Sequence, residues 1–221
     1  MKLGVVAALH RELNPTIKAL KATLPEISDP CLIWEAAPFR FTAGGIGLEC
    51  AEDAAFQLAK EVQGLISAGF CGGLDDSLAP GDLILGGTPE FEASADLLGR
   101  ARRAGPHRVG TIVTSDHVVN DLEEKRTLVR NSGALAVDME AAAVGREAKE
   151  AGLPFLCVKV VLDTPSLPLA SSYAGCGGIT TDILSRPWIV GRMIGDGRRA
   201  TRAAERLRDF FVAFREELRD P

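Results

Sequence analysis

Two carboxylates flank a methionine in Ala136-Val137-Asp138-Met139-Glu140-Ala141-Ala142-Ala143, where an apolar run hands over to an alanine-rich one. Ala134 to Val137 reads as a short buried strand, and Ala141 to Ala151 as a helix of small residues that packs closely. A carboxylate at such a junction can accept two hydrogen bonds from a vicinal diol, as in a ribose, while a methionine packs on an apolar sugar or base face. The same residues also suit a structural role, with Asp138 capping the helix and Glu140 favouring its positive end. A third acid, Asp163, ends the apolar run from Pro154 to Leu162. Apolar surroundings raise a carboxyl's pKa and keep it protonated. Asp163 equally reads as a cap on the turn entered at Thr164-Pro165.

Two glycine-rich segments are the other candidates for ligand contact. Gly44-Gly45-Ile46-Gly47 and Gly69-Phe70-Cys71-Gly72-Gly73 follow predicted strands, where missing side chains let backbone N–H groups approach a ligand. Each also reads as an ordinary tight turn. Neither carries a Gly-Lys-Ser/Thr sequence or dinucleotide-binding spacing.

The elements that must position these residues alternate along the chain. Strands are predicted at Leu3–Ala8, Leu65–Ala68, Asp82–Leu85, Val109–Thr114 and Pro154–Asp163, with a hairpin over Cys31–Ala36 and Arg40–Ala43. Helices are predicted over Glu12–Leu24, where Pro15 restricts the start, over Ala51–Val62, and over Asn120–Asn131 with Asn120 as cap. Ile189 to Leu218 reads as two helical stretches broken at Gly195-Asp196-Gly197. The second has Leu207, Phe210, Phe211 and Phe214 at helical spacing, which suits docking on a sheet with the arginines solvated. Strands interleaved with helices imply an α/β protein with a layered, mostly parallel sheet, and ligands in such sheets gather beyond the strands' carboxyl ends.

Composition limits the function classes. A chain of 221 residues can bury a large single-domain core. A net charge of −5 gives no electrostatic reason to expect nucleic acid. The five cysteines are scattered without a CxxC pair, as expected of small core residues in a reduced, cytoplasmic protein, and the three histidines lack metal-ligand spacing. No segment is long and apolar enough to span a bilayer, and the N-terminus reads as a strand rather than a signal peptide.

Taken in order, Leu3–Ala8 with His10-Arg11-Glu12, Leu65–Leu74 running into Leu78–Leu85, the Asp138-Met139-Glu140 segment and the strand ending at Asp163 resemble the nucleoside phosphorylase family. Within it they resemble the methylthioadenosine/adenosylhomocysteine nucleosidase branch. The resemblance runs from Met1 to about Thr164. It implies one three-layer α/β/α domain over residues 1–221, with a central mixed, mostly parallel sheet, and a homo-oligomer, specifically a dimer. It implies cleavage of the N-glycosidic bond of a purine nucleoside, adenine being the expected base. In that reading Asp163 protonates the purine at N7, Glu140 binds the ribose hydroxyls, and Met139 packs on the nucleoside beside Asp138. Glu12 matches the acid that orients water in the nucleosidase branch, where phosphorylases carry an arginine for phosphate. No metal or cofactor is implied, with phosphate as the possible co-substrate. An acid at position 12 favours water over phosphate on charge grounds. The adjacent Arg11 points about a quarter-turn away on a helix and cannot simply take over.

The departures from the family's pattern are mostly apolar. Phe70 replaces a small polar residue beside the reacting centre, Leu162 replaces a serine, and Lys159 stands for an arginine. Thr114 to Asn120 matches a base-binding segment, with Val118 in place of an aromatic residue, Val119 beside it, and Asp116 expected to hold the loop. Beyond Asp163, Thr164–Leu169, Tyr173, Ala174–Gly178, Arg186-Pro187-Trp188 and the arginine-rich helix resemble the branch linked to hopanoid synthesis, which implies an adenosyl-hopane-type substrate. Arg198, Arg199, Arg202, Trp188 and Leu167-Pro168-Leu169 could bring such a site to anionic lipid as a peripheral contact. The alternative is a purine-nucleoside-binding relative that no longer turns over.

Overall fold

The computed structural model describes residues 1–23, 27–28, 31–169 and 188–219. Ten strands form one mixed sheet: β1 (Leu3–Ala7), β2 (Ile27–Ser28), β3 (Cys31–Ala36), β4 (Phe39–Ala43), β5 (Leu65–Gly73), β6 (Leu83–Gly86), β7 (Arg108–Val109), β8 (Ile112–Thr114), β9 (Ala136–Asp138) and β10 (Phe155–Asp163). Its order is β2-β3-β4-β1-β5-β10-β6-β7, and β8 and β9 branch from β5. The centre, β4-β1-β5-β10, is wholly parallel, while β3, β6 and β9 each join antiparallel. Backbone bonds from Gly110 N–H to Leu85 O and from Ile112 N–H to Gly87 O tie the end of β6 to β8, so the sheet curls back on itself.

The central strands are apolar on both faces because helices cover both. Helices α1 (His10–Ala19), α3 (Ala95–Arg103) and α6 (Trp188–Glu217) pack one face, and α2 (Leu48–Ala59) and α5 (Ala141–Glu150) pack the other. Along β10, Leu156, Val158 and Val160 point into the first core and Phe155, Cys157 and Val161 into the second, which is the period-two alternation of a strand. Against β4, Phe211 of α6 meets Phe39 and Phe41 edge-on at centroid distances of 5.4 and 5.5 Å, a preferred aromatic geometry. The apolar stripe of Leu207, Phe210, Phe211 and Phe214 is fully buried, as its spacing predicts.

Several boundaries differ from the sequence reading. α1 begins at His10 and contains Pro15, which a fixed φ compatible with the helix permits at the loss of one backbone bond. Gly69–Gly73 is the second half of β5 rather than a turn, held by β10 on one side and β9 on the other. α4 (Leu122–Ser132) is capped one residue beyond the expected Asn120, because the Asp121 carboxylate accepts the Glu124 N–H at 2.9 Å. α6 is continuous through Gly195 and Gly197, a cost of about 1 kcal/mol per glycine relative to alanine that the helix absorbs. α3 and the two-residue β2 carried no pattern that the sequence reading picked up. Tyr173, Ala174–Gly178 and Arg186-Pro187 lie outside the described residues. Among those described, no helix is long and apolar enough to cross a membrane.

Candidate active site

The parallel strands β1, β4, β5 and β10 end at one edge of the sheet, and a cavity of about 190 Å³ opens there. Glu12 reaches it from the first turn of α1, Phe70 and Gly72 from β5, and Leu162 and Asp163 from the end of β10. Register Gly72 to Val137 carries Asp138, Met139 and Glu140 of the β9–α5 junction to the same place. The loop after β8 adds His117, Val118 and Val119. Gly45, expected at the substrate, is not in the lining, nor are Gly44, Gly47, Gly69 and Gly73 of the glycine-rich segments. The Gly45 N–H is bonded to Ala8 O, and its neighbour Ile46 faces the cavity instead.

The glycine loop after β4 therefore works differently from the anion cradle its composition suggests. The N–H groups of Gly44 and Gly45 bond Ala7 O and Ala8 O, and that of Gly47 donates to Glu140 Oε1 at 3.1 Å. The loop holds a carboxylate in place rather than offering its amides to a ligand. Gly45 and Gly47 have φ of 114° and 96°, a region that favours glycine, so the loop's path needs them.

Glu12 is held equally firmly. Its Oε2 accepts Leu9 N–H at 2.9 Å and its Oε1 accepts Phe70 N–H at 3.1 Å. Gly69, with φ of 134°, lets the carboxylate lie against the backbone: a Cβ there would meet Oε2 at 3.1 Å. Burial pushes the Glu12 pKa up, against the pull of these two amides and of the Lys159 ammonium. A raised pKa makes a carboxylate the better proton acceptor.

Asp138 turns out to be a structural hub. Its Oδ1 accepts the Thr114 hydroxyl at 2.8 Å, and its Oδ2 accepts Ala141 N–H at 2.9 Å and pairs with Lys159 Nζ at 2.6 Å. Thr114 Oγ1 in turn accepts Ala142 N–H at 3.0 Å. Asp138 thus caps α5, the structural role its position allowed, and ties the loop after β8 to that helix. Glu140, the next acid, is the one turned to the cavity with Gly47 as backbone partner. Its pKa is pushed up to about 7 by burial foremost, with Asp138 and Glu12 adding repulsion and Lys159 and the Gly47 amide opposing. Lys159 is fully buried and held well above the ordinary lysine range by the carboxylates around it.

Asp163 is only 4% exposed, and its Oδ2 pairs with the ammonium of Lys125, itself 1% exposed. The apolar strand predicted burial of this acid, and the structure adds a buried lysine beside it. Lys125 escaped the sequence reading because nothing in Leu122-Glu123-Glu124-Lys125-Arg126 separates it from a solvated helix face. It is nevertheless the one fully buried side chain of α4. Asp116, expected to hold the loop, contacts His117 Nδ1 at 2.7 Å, and His117 Nε2 meets Glu124 of α4 at 2.7 Å. Among the described residues, no group of three or more His, Cys, Asp or Glu is placed to hold a metal, and Cys31, Cys50, Cys71 and Cys157 are free thiols.

Comparison with known proteins adds three facts. The family model described as Phosphorylase superfamily matches residues 85–171, a span that includes Lys125, Asp138 to Glu140 and Asp163 but not Glu12. No curated protein matches the chain. Solved structures match over nearly the full length at low identity. Futalosine hydrolase of Helicobacter pylori is 17% identical, with 96% of this chain and 97% of that one covered and a TM-score of 0.75. The 5′-methylthioadenosine/S-adenosylhomocysteine nucleosidase from Neisseria meningitidis, in complex with methylthio-immucillin-A, gives 19%, 98%, 99% and 0.76 in the same order. The same enzyme type from Colwellia psychrerythraea 34H, in complex with adenine, gives 19%, 99%, 96% and 0.78. The chain has the fold of these nucleosidases, and its residues 85–171 carry the phosphorylase-superfamily pattern.

Proposed function

We propose that this protein cleaves the N-glycosidic bond of a purine nucleoside, with water as the acceptor. The observation that carries the reading is the convergence of Glu12, Glu140 and Asp163 on one cavity at the carboxyl ends of the parallel strands. The purine lies between Asp163 and the Val118-Val119 loop, and the ribose hydroxyls donate to Glu140 with Met139 against the sugar. Breaking the C1′–N9 bond leaves its electron pair on the purine, which takes a proton from Asp163 at N7. Water then adds to C1′ and gives its proton to Glu12. The raised pKa of Glu12 suits that step, and no cationic side chain stands at position 12 to hold phosphate.

The lining supports an apolar 5′ substituent. Leu9, Ile46, Phe70, Leu162 and Leu169 face the cavity, and the finer reading is an adenosine bearing a large apolar 5′ group, of the adenosyl-hopane kind. A peripheral membrane contact fits the same substrate. Leu167 is 46% exposed beside Leu169, Arg199 Nη1 donates to Leu167 O at 3.4 Å, and Arg198 and Arg202 are exposed on the adjoining turn of α6.

The test is release of free purine from adenosine, methylthioadenosine, adenosylhomocysteine and a 5′-alkyl-adenosine, with and without phosphate. Release without phosphate, fastest from the alkyl compound, is the expected result. A strict phosphate requirement makes the enzyme a phosphorylase. Tight purine-nucleoside binding with no release from any of the four leaves a non-catalytic binding protein.

A further inference from the structure

Resting on the nucleoside reading, we propose that Asn120 is a specificity-determining positioning residue: its side-chain amide holds Leu169 in the cavity wall, where the 5′ group of the substrate is gripped. The sequence predicts Asn120 as the cap of α4, but the structure gives that role to the Asp121 carboxylate. Asn120 instead turns its Nδ2–H to Leu169 O at 3.3 Å, 49 residues further along the chain. Among the described residues its Oδ1 is buried with no hydrogen-bond partner, so the bond to Leu169 is what holds the amide.

That bond joins two segments of the cavity wall. Val118 and Val119, directly before Asn120, line the cavity from the loop after β8, and Leu169 lines it from the segment that follows Asp163. Between Asp163 and Leu169 the chain makes a turn. Thr164 N–H donates to Leu167 O at 3.2 Å, Leu167 N–H donates to Thr164 O at 3.0 Å, and Arg199 Nη1 of α6 donates to Leu167 O at 3.4 Å. These bonds fix the chain as far as Leu167. Two residues on, Leu169 is partly buried, and the Asn120 amide reaches its carbonyl.

The walls around the 5′ group are not equally rigid. Phe70 lies on β5, Leu162 on β10, and Leu9 is the residue from which α1 starts, so the sheet and helix set their places. Leu169 belongs to no strand or helix. A side chain on such a segment grips a ligand well only where its backbone is already held, because ordering it at the moment of binding costs affinity. The Asn120 amide supplies that hold. Losing it weakens the contact with the 5′ group and leaves the base and ribose contacts as they are.

The experiment uses two uncleavable C-nucleosides, with carbon in place of N9: the adenosine analogue and its 5′-hexylthio derivative. Their Kd values are measured by calorimetry for wild type, Asn120→Asp, Asn120→Ala and Leu169→Ala, each checked for cooperative thermal unfolding. Asn120→Asp keeps the shape, removes the Nδ2 donor and leaves an acceptor facing the Leu169 carbonyl. Asn120→Ala is expected to unfold near wild type, because Oδ1 has no partner to lose. Both variants should reduce the preference for the hexylthio compound by about tenfold, the scale on which an apolar pocket registers a methylene-sized change. The Kd of the plain analogue should hardly move. Leu169→Ala should lose a similar factor, and adding Asn120→Asp to it should lose nothing further, since the two changes remove one interaction.

An unmoved preference in the folded Asn120 variants overturns the proposal. Equal weakening of both compounds also overturns it, by making Asn120 a structural brace. The analogues bind without turnover, so the enzymatic reading is tested separately by purine release. If wild type releases no purine while its preference for the hexylthio compound still depends on Asn120, the enzymatic reading fails and the role of Asn120 stands.

Discussion

The two sides of the cavity differ in how their charges balance. On the β9–α5 side, Glu12, Asp138 and Glu140 share one buried ammonium, Lys159, so negative charge is in excess. On the β10 side, Asp163 lies against another buried ammonium, that of Lys125. Where carboxylates outnumber cations in a low-dielectric setting, at least one must hold its proton more tightly, and Glu140 is pushed up to about 7. A single cavity thus sets its acids in different charge surroundings.

The largest expected effect comes from removing the acid at the end of β10. Asp163→Asn is nearly isosteric and should cut purine release by on the order of a hundred- to ten-thousand-fold while thermal unfolding stays cooperative. Wild-type turnover in this variant would remove Asp163 from the mechanism. On the crowded side, Glu12→Gln should lose a similar factor in kcat, because the amide can still accept the Leu9 and Phe70 amides but cannot take a proton from water. Loss of nucleoside binding with kcat intact would show that Glu12 is only a helix-start brace.

Glu140→Gln tests the excess negative charge more finely. It should weaken nucleoside binding by about ten- to a hundred-fold while changing free adenine binding little, since the carboxylate's partners are the ribose hydroxyls. Equal losses for both ligands would make Glu140 structural. In wild type, nucleoside affinity should rise as the pH passes through about 7 and Glu140 ionises, and the variant should flatten that rise. Stability has the opposite sign. A carboxyl whose folded pKa is raised contributes fully below its unfolded value near 4.5 and loses that contribution as the pH rises through about 7. Chemical denaturation at about pH 5 and pH 8 should therefore show wild type losing on the order of 1–3 kcal/mol more than Glu140→Gln.

The smallest effect is expected outside the cavity. Changing Arg198, Arg199 and Arg202 to Ala should leave release from soluble nucleosides unchanged and abolish binding to anionic vesicles at low salt. No vesicle binding by wild type under those conditions would end the membrane reading and leave both sides of the cavity as described.

Much of this was legible in the chain. Period-two and period-3.6 patterns located the central strands and the apolar stripe of α6, because burial on a strand or helix face leaves its spacing in the sequence. Asp138, Met139, Glu140, Asp163 and Glu12 stood out by type and place, and each lies at the cavity. Division of labour did not show. Asp138 and Glu140 are two residues apart, yet one is consumed by Thr114, Ala141 and Lys159 while the other faces the cavity, and only long-range contacts separate them. Likewise the glycines after β4 announced a close backbone approach, but what approaches is the protein's own Glu140 and Ala8. Lys125 shows the limit most clearly. Its neighbours in sequence are charged and solvated, and its burial is set by the packing of α4 across the end of β10, thirty-eight residues away. Sequence determined which residues could do acid–base chemistry, because residue type carries that information. Tertiary structure decided what each of them is paired with, because the ions and amides beside a carboxyl are brought there through space.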